Sequence, residues 1–141
     1  MEFPAGSRSY FLRDIGEPDD NVLRLVILEG GPAGPEQEVD GTDLKAIPVL
    51  PLPESRPLEL VWDNYVVYAV RNESFVNAEH VRPVSQAMLT ERTGTEFLAF
   101  VTRSTMAGDA YPGPLRHWEL LCLNHVIDVA AVSAPAIREL D

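Results

Sequence analysis

Leu58-Glu59-Leu60-Val61-Trp62-Asp63-Asn64-Tyr65-Val66-Val67-Tyr68-Ala69-Val70 is the stretch on which the fold turns. Two runs rich in branched and aromatic residues flank Asp63-Asn64, a pair that tolerates the positive φ a two-residue hairpin requires. Paired through that turn, Trp62 would face Tyr65, Leu60 would face Val67, and Leu58 would face Ala69. The other face would carry Val61, Val66, Tyr68 and Val70, with Glu59 opposite Tyr68. Both faces are largely apolar, whereas strict alternation marks a half-exposed sheet. The stretch therefore predicts a central hairpin covered on both sides.

Strand signals continue outward from it. Ser9 to Ile15 and Val22 to Leu28 are separated by the turn-forming run Gly16-Glu17-Pro18-Asp19-Asp20-Asn21, which predicts a second hairpin. Leu115 to Leu123 and His125 to Val132 predict a third, turning at Leu123-Asn124. That register sets Cys122 against His125, Leu120 against Ile127 and Trp118 against Val129 on an apolar face. Residues 81–90 read as a weaker strand. Thr93-Gly94-Thr95-Glu96 fits a capping box, with Phe97, Leu98 and Val101 at helical spacing behind it, so a helix is expected from about 95 to 105.

Residues 30–57 differ in kind. They hold six of the twelve prolines and four of the nine glycines, too many for the interior of a sheet. They read as a surface excursion from which Ile47, Val49, Leu50 and Leu52 would cover the core. The expected whole is one domain over residues 1–141, β-rich α+β, with about seven mainly antiparallel strands. These would form a sandwich or partly open barrel, with the helix closing an edge or an end. Sheet edges need cover, which a homodimer could supply.

The chain carries 22 acidic against 11 basic residues, a net charge of −11. Residues 1–43 alone hold ten acids and three bases. Nucleic-acid binding needs a basic footprint on phosphates, and anionic lipid needs the same, so neither partner is expected. A basic protein partner is the sharper reading of the acidity; a solubilising surface is the plainer one. Ten arginines to one lysine suggest a GC-rich, bacterial genome. The absence of a secretory signal pattern, of any long apolar run and of a second cysteine besides Cys122 leads to a cytoplasmic expectation. Cys122, between leucines, reads as buried and inert, Trp62 and Trp118 as core.

No nucleophile elbow, phosphate loop, H-E-x-x-H or dinucleotide fingerprint is present, and no cofactor is implied. His80, His117 and His125 are too scattered for a metal motif, and His125 beside Asn124 reads as a turn residue. One polar grouping stands out. In the terminal hairpin Glu119 lies across from Asp128, with His117 one same-face step away. Like charges so placed repel unless something offsets them. An arginine such as Arg71, a shared proton or a divalent cation on His117, Glu119 and Asp128 would do so. A different register, or two carboxylates facing water, would remove the problem. Arg71-Asn72-Glu73-Ser74 emerges from the central strand, where polar residues either line a site or simply meet solvent.

Three functions follow as expectations: an acidic, non-enzymatic protein binding a basic partner in the manner of an inhibitor or immunity protein; a small-ligand module with its pocket near Arg71, Glu73 and His117; or a metal-assisted enzyme using His117, Glu119 and Asp128.

Overall fold

A computed structural model describes residues 1–4, 8–77 and 88–141. In chain order the strands are β1 (Ser9–Gly16), β2 (Val22–Pro32), β3 (Gln37–Glu38), β4 (Lys45–Ala46), β5 (Val49–Pro51), β6 (Leu58–Asp63) and β7 (Val67–Asn72). A 3-10 turn, Glu73–Phe75, comes next. Then follow β8 (Leu89–Arg92), helix α1 (Glu96–Ser104), β9 (Arg116–Leu121), β10 (His125–Ala131) and β11 (Ala136–Glu139). One antiparallel sheet runs β1-β2-β6-β11, with β5 added to the end of β2; a second runs β7-β10-β9-β8, and β3 and β4 pair as a separate two-stranded ribbon. Side chains from both sheets meet in one core, among them Leu25, Ile27, Leu60 and Trp62 from the first and Leu120, Ile127 and Val129 from the second. The architecture is thus the β-rich α+β class expected, in its sandwich form with no closed barrel.

The β1–β2 and β9–β10 hairpins form as read. Leu120 pairs with Ile127, Trp118 with Val129 and Glu119 with Asp128, and the Cys122 N–H donates to the His125 carbonyl. Asn21 turns the first hairpin at φ 61°.

The central hairpin does not form. Asn64 takes the positive φ of 62° that the turn needs, but the two runs enter different sheets. β6 pairs with β2 and β11, and β7 pairs with β10. The crossing falls between neighbours: Tyr65 N–H donates to Asn21 O beside the first sheet, Val66 N–H to Ala130 O in the second. The physical reason is the face each run must hide. Within one sheet, Leu58, Leu60 and Trp62 and their partners would need a second sheet from elsewhere to cover them. Crossing over lets them be buried against Ile127 and Val129 directly. β6 is accordingly covered, with Leu60 and Trp62 at 0% and 1% exposure. β7 ends its sheet, and Val70 is 41% exposed, so the expectation of cover on both faces holds for half the stretch.

Other readings need smaller corrections. Ile47, Val49 and Leu50 do not cover the core; all three are nearly half exposed. β5 pairs with Gly30–Pro32, beyond the part of β2 that faces the core, while Leu52 packs on Gly31. His125 opens β10 with no positive φ. The turn is secured instead by Asn124, whose Oδ1 accepts from Leu12 N–H and whose Nδ2 donates to Leu12 O, fastening the terminal hairpin to β1. The helix cap is Thr95, not Thr93: its hydroxyl accepts from Leu98 N–H. Gly94, at φ 62°, turns the chain just before it. α1 lies on the outer face of the second sheet against β9 and β10, not at an edge or end, with Val101 fully buried. The weak strand expected over 81–90 lies mostly outside the described residues; β8 begins at Leu89. No helix among the described residues is long and apolar enough to cross a membrane.

Candidate functional site

The outer face of the second sheet is built by register. β10 is an inner strand, so Asp128 has Glu119 of β9 on one side and Ala69 of β7 on the other. Pleating puts His117, two residues before Glu119, on the same face, and Arg71, two after Ala69, on it too. β8 adds Thr90 opposite Glu119 and Arg92 opposite His117. Ala69 is the small member of this row, and α1 covers only part of the face. Between them opens a cleft of about 580 Å³, lined by Ala69, Arg71, Arg92, His117, Glu119 and Asp128 together with residues 93–97 at the start of α1.

His117, Glu119 and Asp128 are buried, at 2%, 3% and 6% exposure. Buried carboxylates demand partners. Arg71 Nη2 donates to Asp128 Oδ2 at 3.2 Å and stands 4.0 Å from Glu119. Arg92 Nη1 donates to Glu119 at 3.0 Å. The repulsion built into the register is thus met by guanidinium groups, one of them the Arg71 that the spacing suggested.

His117 is held at both ring nitrogens. Nε2 lies 2.7 Å from Asp128 Oδ1, and Nδ1 lies 2.8 Å from Thr95 Oγ1. A carboxylate engaged by arginine accepts hydrogen bonds and donates none, so Nε2 carries the proton of the neutral ring. Nδ1 then accepts from the Thr95 hydroxyl, whose oxygen in turn accepts from Leu98 N–H. Every donor finds an acceptor. Phe97 lies over the imidazole, ring centroids 4.7 Å apart, and shields it from water.

Ligand atoms of His117, Glu119 and Asp128 come within 4.8 Å of one another, close enough for a metal ion. Such an ion would sit beside two guanidinium groups and would have to take Asp128 from both Arg71 and His117. The arrangement suits hydrogen-bond exchange better than cation coordination. Glu73 lies elsewhere: it is exposed on the 3-10 turn and lines none of this cleft. His125 has no place in the cleft either, and His80 lies outside the described residues.

Sequence reasoning missed Arg92, Thr95 and Phe97. Arg92 belongs to a strand too short to give a periodic signal, and Thr95 carried only a capping signature. Their meeting with His117 depends on where α1 docks. Cys122, by contrast, behaves as read: it is buried, and burial pushes its thiol up to about 12.

Comparison with protein-family models, curated proteins and solved structures gave no match to this chain.

Proposed function

We propose that the protein binds a small polar ligand in the cleft over Ala69, between β7, β9, β10 and the first turn of α1. The supporting observation is the cleft itself: its volume of about 580 Å³ falls in the range of small-molecule sites, about 300–1,000 Å³. Its charged groups orient one another before any ligand arrives, which lowers the ordering cost of binding. Arg71 and Arg92, 37% and 42% exposed at their side chains, line the cleft beside Asp128 and Glu119.

Ala69→Leu tests this without touching a charge. A thermal-shift screen of small carboxylates, amino acids and sugars is expected to yield compounds that raise the melting temperature of the wild type and not of this variant. If no compound stabilises the wild type, or if Ala69→Leu responds equally, the cleft is not the site.

A second reading keeps the acidic surface as a docking face for a basic protein. It is favoured by the ribbon of β3 and β4, where Glu36, Glu38, Asp40 and Asp43 are exposed alongside Val39 and Leu44. Reversing those four charges is expected to abolish, in low and moderate salt, any capture of a basic protein from the native host. Capture unaffected by the reversal would contradict this reading.

A further inference from the structure

We propose that Thr95, His117 and Asp128 form an acyl-transfer relay, and that the ligand class is a small carboxylic ester. The inference rests on the cleft being the ligand site and adds chemistry to it. Three observations carry it. A hydroxyl, an imidazole and a carboxylate stand in line, at 2.8 Å and 2.7 Å, in the order nucleophile, base and orienting group. The partners allow one neutral tautomer, with the lone pair of Nδ1 directed at the Thr95 hydroxyl. Thr95 is only partly buried and lines the cleft, whereas the imidazole behind it is buried beneath Phe97.

The first turn of α1 supplies the remaining part. Thr95 satisfies Leu98 N–H and, through its carbonyl, Ala99 N–H. The amides of Glu96 and Phe97 have no intrahelical partner, as at any helix start. Both residues line the cleft next to the hydroxyl. Acyl transfer develops one oxyanion, which two adjacent N–H donors suit.

The step balances with water as the co-reactant. Thr95 Oγ1 bonds to the ester carbonyl carbon while its proton passes to Nδ1 of His117. The carbonyl oxygen becomes the oxyanion beside the Glu96 and Phe97 amides. Its collapse breaks the bond to the alcohol oxygen, which leaves with the proton from Nδ1. Water then attacks the acyl carbon and gives its proton to Nδ1. The bond to Oγ1 breaks, the proton returns to Thr95, and the carboxylic acid departs. Asp128 stays ionised throughout, balancing the transient imidazolium.

Capping and catalysis separate at one position. Asn caps a helix about as well as Thr but has no hydroxyl, and Ser has both properties. The full chain is assayed with p-nitrophenyl acetate and trapped with diisopropyl fluorophosphate, the modified residue being mapped by peptide mass spectrometry. The wild type and Thr95→Ser are expected to release nitrophenolate above background and to carry the trap at residue 95. Thr95→Asn should be folded, unmodified at that residue, and slower by about 100-fold or more, the lower bound for general acid–base contributions. Turnover retained in Thr95→Asn, or no Thr95 modification in the wild type, overturns the relay. If the thermal-shift screen still finds ligands that Ala69→Leu cannot bind, the binding proposal survives that failure; if it finds none, both fall.

Discussion

Each sheet of the sandwich hides a carboxylate on its outer face, and the two solutions differ. On the first sheet Glu59 of β6 is 7% exposed and is claimed by Arg138 of β11 at 2.6 Å and Arg24 of β2 at 2.5 Å. Both bases reach in from partly exposed positions, Arg138 at 70% and Arg24 at 32%. The group is small: one buried acid, two bases and, at its rim, the exposed Asp14 3.6 Å from Arg24. On the second sheet two acids share Arg71 and Arg92, one of them also holds an imidazole, and the network opens on a cleft and ends in a hydroxyl. The first arrangement neutralises a charge and the second organises several. A buried polar group that answers only to its neighbours reads as structure. One whose chain of bonds ends at a cleft reads as a site.

The contrast predicts unequal costs of deletion. Asp128→Ala strips the fully buried His117 of its Nε2 partner, leaving that ring nitrogen to whatever water enters, and removes one acceptor of Arg71. Urea denaturation should show a loss of about 3 kcal/mol. Glu59→Ala leaves two arginines that can swing into solvent, and about 1 kcal/mol is expected. Equal losses would erase the distinction between the two faces. At Thr95, Ala should cost about 1 kcal/mol through the lost cap, whereas Asn should stay within about 0.5 kcal/mol of the wild type. If Asn is as damaging as Ala, the contact with His117 outweighs the cap.

The smallest effect concerns pH. The hydrogen bond from Arg138, aided by Arg24, holds the Glu59 carboxyl below the ordinary value of 4.5 against the opposing effect of burial. A group whose folded value is depressed adds stability that is whole above its unfolded value and disappears as pH falls through the folded one. The stability difference between wild type and Glu59→Gln should therefore be present at neutral pH and shrink in acid below about 4.5. A difference that grows on acidification would reverse the assignment.

Legibility in the sequence follows the range of the interactions involved. The β1–β2 and β9–β10 hairpins were readable because turn residues and strand patterns agree locally, and the second register put Glu119 beside Asp128 with His117 near. Leu58 to Val70 misled for an instructive reason. Asn64 specifies a reversal with positive φ, but a corner between two sheets uses the same conformation as a hairpin. Only Tyr65 bonding to Asn21 and Val66 to Ala130 decide between them, and both partners are far away in sequence. β11 gave no signal because Ala136-Ile137-Arg138-Glu139 is a short, mostly exposed edge whose chief polar contact is with Glu59, dozens of residues upstream. Arg71 was readable as a partner for the acids because it ends a recognisable strand. Arg92 and Thr95 were not, since their positions depend on the docking of α1 through Val101 and Phe97.

The most direct measurement is the tautomer of His117, read from long-range proton–nitrogen correlations in the neutral ring. The account predicts a protonated Nε2 facing Asp128 and a bare Nδ1 accepting from Thr95, with that preference lost in Asp128→Asn. A proton resident on Nδ1 in the neutral wild-type ring would contradict it, because the Thr95 hydroxyl would then face a donor and no relay could run through it.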